Sequence, residues 1–388
     1  MARPPSPLPR YKGQLDVYLG RSHRASTLTP DMTSNNNVSI ASFRSQMVVA
    51  YRKAETHFAS PSARIIVATS TNLQDWETVW EYTTGKDDLR EVLLWEFKGK
   101  LFLYFACLAP QKKGFAPRGM HWTVTSDLQS WADPVAMGRA AEITWDIKVH
   151  EDQAYKVGYI GNHYAADAEL TVVFEKSRDG VNWQPVGKDL AVYVGGISEV
   201  SFAFTACGDL VAIGRNEDGD RTGFGSQMFF ARKDDLGTWV SLKDSLPYRF
   251  DSPRLVSMEG QFVLFARYAP HAYNAMPKWF PFGLQRFLNL IIYSARPKSA
   301  AVYWLDLPDN EGSWPVHPVQ LVRCFEDACS DTGFFSVAKC PDSAAGSASE
   351  WAVANYSSSG AHSHAPWVYG QLLGSDVYVC RCLPVLRG

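Results

Sequence analysis

The chain has 388 residues, of which 46% are hydrophobic and 13% aromatic, so it can bury a large core or a closed ring of small ones. Its formal net charge is −2, from 38 basic and 40 acidic residues, which argues against nucleic acid or an anionic membrane as the main partner. No apolar run is long enough to span a membrane, and the first residues lack the apolar run of a signal peptide. We therefore expect a soluble protein that is cytoplasmic or, if a leader has been removed, secreted.

The beginning of the chain is proline-rich, and residues 1–12 are predicted to form a flexible tail before a single domain at residues 13–388. An early strand is predicted at 14–20 (QLDVYLG). This strand has no repeat unit of its own.

Four similar phrases each end in a tryptophan, at Trp76, Trp131, Trp183 and Trp239, and recur every 52 to 56 residues. Such a constant period predicts an array of like modules. Between the phrases, short runs rich in β-branched and aromatic residues predict pairs of strands. These pairs are 46–52 with 63–70, 100–106 with 120–126, and 154–161 with 169–177. The fold class is therefore all-β.

Units of about 50 residues that hold four antiparallel strands are typical of β-propeller blades. Six innermost strands are predicted, beginning at Val38, Arg90, Trp145, Glu199, Pro253 and Gly333. The sequence thus predicts a six-bladed propeller whose ring closes when strand 14–20 pairs with the last blade beside residues 375–382. The long fifth interval carries an extra segment, 271–293, which is either a loop over one face or a hydrophobic contact surface.

The phrase formed by Ser177, Asp179, Gly180 and Trp183 resembles the Asp-box of sialidases and related bacterial-neuraminidase repeat proteins. Weaker copies are Ser126, Asp127 and Trp131, and then Asp234 with Trp239. The resemblance implies a sialidase-like propeller in which the aspartate caps a turn and the tryptophan packs between blades.

In an antiparallel meander, the start of the first strand and the end of the second strand lie on the same face. Charged and aromatic residues recur at both places. At the starts of the inner strands they are Asp88, Arg90, Glu91, Trp145, Asp146, Lys148, Ser198, Glu199, Asp251, Arg254 and Asp331. At the ends of the second strands they are Arg52, His57, His163, Tyr164, Arg215, Asn216, Glu217, Arg267, Tyr268 and Tyr356. Arginines and carboxylates around one funnel suit a polar, oxygen-rich ligand, including an acidic one.

Glu199 opens an inner strand and Arg215 ends the next strand, which resembles a pair in sialidases. There the glutamate polarises a nucleophilic tyrosine and the arginine belongs to a carboxylate-binding triad. Two features differ from that family. The first blade reads NNNVSIASF with no arginine, and Phe334 and Phe335 stand where the tyrosine is expected.

The leading hypothesis is a glycoside hydrolase that acts on a glycan, including one with an acidic sugar. Its principal catalytic carboxylate is Glu199, and the second is Asp146 or Asp331. The predicted substrate-binding residues are Arg52, His57, Arg90, Trp145, Lys148, Arg215, Arg254, Arg267 and Tyr356.

Other interpretations fit the same residues. The chain could be a non-catalytic propeller that binds carbohydrate or protein, or a five-bladed glycosidase that uses three carboxylates. A carboxylate at the start of an inner strand can instead tie blades together. An arginine at a strand end can form a salt bridge to the next blade.

No cofactor or metal is expected. His362 and His364 resemble a metal pair but have no neighbouring cysteine or carboxylate pattern. Phosphate-loop, nucleophile-elbow and zinc-protease phrases do not occur. The expected partner is a glycan or small sugar, with no nucleic acid and no membrane, and the sequence does not specify an oligomeric state.

Overall fold

The computed structural model describes residues 34–109, 116–161, 169–216, 219, 225–241, 246, 248–258, 260–268, 280–305, 319–341, 350–358 and 365–382. Its strands form six antiparallel sheets that follow one another along the chain.

The first three sheets cover the N-terminal half of the described chain. Sheet one contains β1 (Ser34–Phe43), β2 (Gln46–Ala54), β3 (Arg64–Ser70) and β4 (Glu77–Tyr82). Sheet two contains β5 (Asp88–Phe97), β6 (Lys100–Leu108), β7 (Pro117–Thr125) and β8 (Val135–Ala136). Sheet three contains β9 (Glu142–His150), β10 (Gln153–Ile160), β11 (Leu170–Ser177), β12 (Gln184–Pro185) and β13 (Ala191–Gly195), the last two both pairing with β11.

The remaining sheets repeat this arrangement. Sheet four contains β14 (Ile197–Phe204), β15 (Leu210–Asn216), β16 (Gln227–Ala231) and β17 (Val240–Ser241). Sheet five contains β18 (Phe250–Met258), β19 (Gln261–Tyr268), β20 (Lys298–Leu305) and β21 (Val319–Cys329). Sheet six contains β22 (Ser336–Lys339), β23 (Trp351–Ser357) and β24 (Asp376–Cys382).

The six sheets are the blades of a ring. The innermost strands β1, β5, β9, β14, β18 and β22 each contact the next, and β22 contacts β1. This confirms the predicted six-bladed propeller and excludes the five-bladed alternative. The predicted starting points of the inner strands were displaced, however: Glu199 is the third residue of β14, and Gly333 precedes β22.

The first five inner strands are each interrupted by a β-bulge at nearly the same place. Pairing with the second strand shifts at Asn37, Glu91, Trp145, Glu199 and Ser252. Four of these residues, all except Trp145, have a positive φ of 47° to 52°. This left-handed conformation is costly for residues with a Cβ and turns the side chain away from the regular pleat. A bulge therefore recurs in the inner strands of blades one to five, and in four of them its residue has a strained backbone.

Serine hydroxyls join neighbouring inner strands close to these bulges. In three places a serine Oγ accepts a hydrogen bond from a backbone N–H of the next blade. The pairs are Ser39 with Leu94 at 2.8 Å, Ser201 with Leu255 at 2.8 Å, and Ser336 with Ile40 at 3.0 Å. The third pair joins the last blade to the first. A second contact between the same two blades is the bond from Asn35 N to Ser375 O at 3.0 Å. The predicted closing strand 14–20 lies outside the described residues, so its pairing stays a prediction.

Three of the tryptophan phrases form the same turn. In each, one hydroxyl accepts from the backbone N–H three residues later, and one side-chain oxygen accepts from two further amides. These hydroxyl and carbonyl or carboxylate pairs are Ser70 with Asn72, Thr125 with Asp127, and Ser177 with Asp179. In the second turn the hydroxyl is therefore that of Thr125, not Ser126 as predicted.

The tryptophans that end these phrases pack towards the preceding blade. Trp183 donates from Nε1 to Tyr104 Oη at 3.0 Å, and Trp131 stacks on Trp80 with centroids 5.2 Å apart. The fourth phrase differs, because it is closed by a backbone bond from Asp235 N to Arg232 O at 2.9 Å.

Two helices interrupt the all-β pattern. Helix α1 (Phe282–Ala295) follows β19, and α2 (Trp367–Leu373) follows β23. Helix α1 therefore occupies much of the predicted extra segment, whose residues 271–279 are outside the described part. In the residues that the structure describes, neither helix is long and apolar enough to cross a membrane.

We expect the variant Ser201→Ala to weaken the ring measurably. Ser201 Oγ accepts from Leu255 N and donates to Asp146 Oδ2 at 2.6 Å, and the residue is fully buried. Its loss leaves a buried amide and a carboxylate oxygen without this partner, at a cost of about 1–3 kcal/mol. Urea unfolding of this variant and of Ser126→Ala, an exposed serine, measures the difference. Equal midpoints for the two variants would contradict the assigned role.

Candidate functional site

Three arginines occupy equivalent positions at the ends of second strands. Each lies opposite the residue that immediately precedes the bulge of its own blade. The pairs are Arg52 opposite Asn36, Arg215 opposite Ser198, and Arg267 opposite Asp251. The predicted recurrence of arginine at one register is therefore present in the structure.

Each of these arginines forms a salt bridge with an aspartate that leads into the inner strand of the next blade. The nitrogen to oxygen distances are 2.7 Å for Arg52–Asp88, 2.9 Å for Arg215–Asp251 and 3.4 Å for Arg267–Asp331. All six side chains are at most 8% exposed. These contacts agree with the alternative interpretation of the strand-end arginines, in which each forms a salt bridge to the next blade.

Arg52 is fully enclosed. Besides Asp88, its guanidinium donates to the carbonyls of Thr56 and Phe58, each at 2.9 Å. Burial lowers the pKa of Arg52 to about 10, although Asp88 opposes that change. Arg90 binds the same carboxylate, from Nε to Oδ2 at 2.5 Å. Burial alone would raise the pKa of Asp88, but Arg90 and Arg52 outweigh it and lower the value.

Asp331 is the centre of a second buried cluster. Its Oδ1 accepts from Tyr356 Oη at 3.0 Å and from Trp367 Nε1 at 2.9 Å. Its Oδ2 lies 3.0 Å from His57 Nδ1 and accepts from Gln371. Burial opposes ionisation of Asp331, yet the contacts to His57 and Arg267 hold its pKa below the usual value. Its lone pairs are directed at protein donors.

Tyr356 belongs to this cluster as well. Its hydroxyl accepts from Arg267 at 2.8 Å, and burial and then Asp331 raise its pKa well above the usual value. His57 has a lowered pKa, mainly because it is buried. His163, Tyr164, Glu217, His362, His364 and the side chain of Tyr268 lie outside the described residues.

Asp146 anchors a third group. Arg254 donates to its Oδ1 at 2.7 Å, and Lys148 Nζ lies 3.4 Å from the same atom. The pKa of Lys148 is lowered by burial, which Asp146 partly offsets. Trp145 is only 2% exposed, and its Nε1 donates to Pro253 O at 3.2 Å, so its ring packs among the inner strands.

Glu199 is held from two sides. Its Oε1 accepts from Arg215 at 2.6 Å, and its Oε2 accepts from the backbone N–H of Ser252 at 2.8 Å. Arg215 also reaches Asp251. Burial opposes the ionisation of Asp251, but Arg215, Arg249 and Arg267 outweigh it and lower its pKa strongly. Glu199 is therefore held in place by two donors, one of them a guanidinium.

Glu91 is the residue whose significance sequence reasoning missed. It occupies the bulge of blade two that corresponds to Glu199 in blade four, but Ala106 stands opposite Arg90 where Arg215 stands opposite Ser198. Its Oε2 accepts a hydrogen bond from a neutral donor, Asn37 Nδ2, at 3.1 Å.

The electrostatic setting of Glu91 is correspondingly different. Burial raises its pKa to about 7; Arg90 opposes this change and the charge of Glu199 adds to it. The signal in the sequence was the repeated dipeptide Glu-Val, at Glu91 and again two repeat units later at Glu199.

The structure brings the predicted residues together in four groups. Around Asp331 lie His57, Arg267 and Tyr356. Around the bulges lie Glu199 with Arg215, and Asp146 with Arg254, Lys148 and Trp145. Arg52 and Arg90 bind Asp88, beside Glu91. Within the described ranges, no group of three or more histidine, cysteine, aspartate or glutamate side chains is arranged to hold a metal ion.

We expect Asp88→Asn to destabilise the fold by about 3–5 kcal/mol, because it leaves the buried charge of Arg52 poorly compensated. The matched control is Glu81→Gln, which breaks the Arg64–Glu81 pair at 2.6 Å whose side chains are 43% and 42% exposed. That change should cost below about 1 kcal/mol. Urea unfolding compares both variants with the wild type, and similar losses would be inconsistent with a special role for the buried pair.

Glu91 should make stability depend on pH. Its ordinary pKa is 4.5 and its folded value is about 7. The contribution of Glu91 to the free energy of unfolding is fully present below pH 4.5. It is lost as the pH rises through 7, because between these values the carboxyl group ionises in the unfolded state but stays largely protonated in the folded state. On passing from pH 5 to pH 8, Glu91→Gln should therefore gain on the order of 3 kcal/mol relative to the wild type. Denaturant titrations at both pH values, with the exposed Glu77→Gln as control, would reveal a constant difference if this assignment is wrong.

Comparison with known proteins supports the fold. No protein-family model matches the chain, and no curated protein matches its sequence. Among solved structures, a Trypanosoma rangeli sialidase aligns over 90% of this chain and 55% of its own, with 12% identity and a TM-score of 0.56. The same sialidase with sialic acid (12% identity, 90% and 54% coverage) and with the inhibitor DANA (12%, 90% and 55%) each gives a TM-score of 0.57. The chain spans about half the length of these proteins, and at this identity the likeness shows a shared six-bladed β-propeller fold.

Proposed function

We propose that this chain is a glycoside hydrolase of sialidase-like type in which Glu199 and Glu91 are the two reacting carboxyl groups. The observation that carries the proposal is that two equivalent bulges present glutamates in contrasting environments. One is bound by Arg215 and the Ser252 amide, and the other has a neutral partner and a pKa raised to about 7. Glycosidases need such a division between a proton donor and a carboxylate.

Glu91 is proposed as the general acid. A pKa near 7 keeps a large fraction of this group protonated at neutral pH while leaving it acidic enough to donate. Asn37 occupies Oε2, so Oε1 is the oxygen that carries the proton. As the glycosidic C–O bond breaks, this proton passes to the leaving oxygen.

Glu199 is proposed as the second carboxylate. It acts on the anomeric carbon directly as a nucleophile, or it removes a proton from the water that attacks that carbon; the separation of the two carboxyl groups in the substrate complex decides between these routes. Arg215 and Ser252 hold the carboxylate in place and restrict its rotation. This role for Glu199 is the one predicted from the sequence.

Asp146 and Asp331 have a different place in the proposal from the sequence hypothesis. Asp146 orients Arg254 and Lys148, and Asp331 orients His57 and Tyr356. We therefore propose that these carboxylates position other groups and do not react. Tyr356 is 1% exposed and is therefore not proposed as a nucleophile.

The proposed substrate is a glycan that includes an acidic sugar. Lys148, Arg90 and His57 keep 24%, 13% and 13% of their side chains exposed and are proposed to meet it. Arg52, Arg254, Arg267 and Trp145 are buried and are proposed to support the wall behind them. The bound sugar of the sialidase structure with sialic acid is consistent with this class of ligand.

A non-catalytic propeller that binds a glycan is the second candidate. The observation that favours it is that the buried Asp88, Asp146, Asp251 and Asp331 are all engaged by cationic side chains. On this view Glu91 and Glu199 would only contribute acceptors for sugar hydroxyls.

The test is a screen of chromogenic glycosides, including sialosides and uronides, with the wild type, Glu199→Gln, Glu91→Gln and the exposed control Glu77→Gln. We expect each of the first two variants to lose at least about 100-fold in kcat while the control keeps full activity. The wild-type rate should fall as the pH rises above 7, and Glu91→Gln should lose that dependence.

The outcomes separate the candidates. Equal turnover by the wild type and Glu199→Gln would remove Glu199 from the mechanism. Glycan binding by calorimetry without turnover of any substrate would favour the non-catalytic propeller.

A further inference from the structure

Helix α1 has the opposite orientation to an ordinary surface helix: its polar side is buried and its apolar side is exposed. Its buried residues are Gln285, Asn289 and Tyr293, which are spaced four residues apart and share one face. Its exposed residues include Leu284, Phe287, Leu290 and Ile291, each 45% to 57% exposed. A surface helix normally buries its apolar side and exposes its polar side.

The buried side of α1 is held by side chains of the Asp331 cluster, which fixes the rotation of the helix about its axis. Tyr293 Oη accepts from Arg267 at 2.9 Å, and the ammonium of Lys298 lies 3.6 Å from the centre of the Tyr293 ring. Tyr293 also packs edge-on against Trp367 of α2 at 5.1 Å. The apolar side of α1 therefore faces outwards because its polar side is needed inside.

Helix α2 extends the same surface. Gln371 points inwards to Asp331, and Gly370 lies so close to it that an added Cβ would come within 2.6 Å of the Asp331 Cβ. The outward residues of α2 are again apolar. We name the combined surface the apolar platform: Phe282, Leu284, Phe287, Leu290, Ile291, Val368, Tyr369 and Leu372, all between 39% and 57% exposed.

The platform is concentrated in a way that the rest of the surface is not. Among the described residues, the other large exposed apolar side chains belong to loops and strands elsewhere in the chain, and of these only Val135 and Val181 line a common cavity: Phe58, Val135, Val149, Val181, Val194 and Val240. Single exposed apolar residues are normal, whereas a contiguous group marks an interaction surface.

Charge indicates what this surface meets. The sequence from 260 to 305 contains no aspartate or glutamate, and neither does the sequence from 351 to 375. Arg286 lies within α1, and the exposed Arg296 follows its C-terminus. Apolar side chains that include aromatic rings, flanked by basic residues and lacking acidic ones, are typical of helices that lie in the interface of an anionic bilayer.

We propose that the apolar platform binds the surface of a membrane that contains anionic phospholipid, with α1 and α2 lying along the interface. The expectation of no membrane partner was based on net charge and on the absence of a spanning segment. Neither addresses two short helices that lie on the surface. The proposal is independent of the glycosidase assignment, since it uses residues that take no part in that reaction.

The test is co-sedimentation of the full chain with vesicles of phosphatidylcholine alone and of phosphatidylcholine with a quarter phosphatidylserine. We expect binding to the mixed vesicles that weakens as salt is added. The double variant Phe287→Asp with Leu290→Asp should bind at least about tenfold less. The matched control, Val240→Asp, changes an equally exposed valine (54%) on β17 and should bind as the wild type does.

Thermal unfolding and circular dichroism verify that the variants remain folded. Failure of the wild type to bind either kind of vesicle would overturn the proposal, as would equal binding by the wild type and the double variant. Sedimentation equilibrium covers the rival occupant: a wild-type dimer that the double variant dissociates, without vesicle binding, would assign the platform to a second copy of the chain.

Discussion

The buried arginine–aspartate pair between neighbouring blades is the interaction on which the rest of the structure depends. It joins the end of a second strand to the start of the next inner strand, at Arg52–Asp88, Arg215–Asp251 and Arg267–Asp331. Taking both charges out of water is expensive, so such a pair persists only when each member is fully bonded. The extra bonds of Arg52 to carbonyls and of Asp331 to Gln371 and Trp367 meet this requirement in two of the three pairs.

This arrangement also determines which groups are available at the axis. Where the second strand supplies an arginine, the acidic residues nearby are neutralised and held rigidly. Blade two has Ala106 at that register, and its bulge residue, Glu91, lacks the contact that Arg215 gives Glu199. One substitution within a repeated framework thus places two similar glutamates in different surroundings, which is the basis of the acid and base roles proposed for them.

The sequence was sufficient to predict the repeat period, the all-β class and the number of blades, because tryptophan phrases and strand pairs recur at a nearly fixed interval. The register of Arg52, Arg215 and Arg267 also followed from the meander geometry. Side-chain direction did not. A bulge changes which side of the strand a residue faces, and Glu91, Trp145 and Glu199 all lie at bulges that no residue type announces.

The contact partners of individual side chains also could not be predicted from the sequence. Trp145 was expected to contact substrate, but the Arg254 side chain and the Phe334 ring cover it. Both neighbours are distant in sequence, so the burial of Trp145 could not be read from the residues around it. The hydroxyl in the second turn is that of Thr125, which precedes Asp127 by two residues as Ser177 precedes Asp179, whereas the predicted Ser126 is adjacent to Asp127. The inverted orientation of α1 arises from the tertiary contacts of Tyr293, and periodicity alone would have placed its apolar side inwards.

The bond between Ser336 and Ile40 has a consequence for how the chain is assembled. Its partners are 296 residues apart, whereas most other blade contacts join units that are adjacent in sequence. During synthesis from the N-terminus, one side of the first blade stays exposed until the last blade has been synthesised. Bringing together residues so far apart in sequence has a large cost in chain entropy, so the joining of the first and last blades should be the slow phase of folding. The incomplete ring that precedes this step is the species most prone to aggregation.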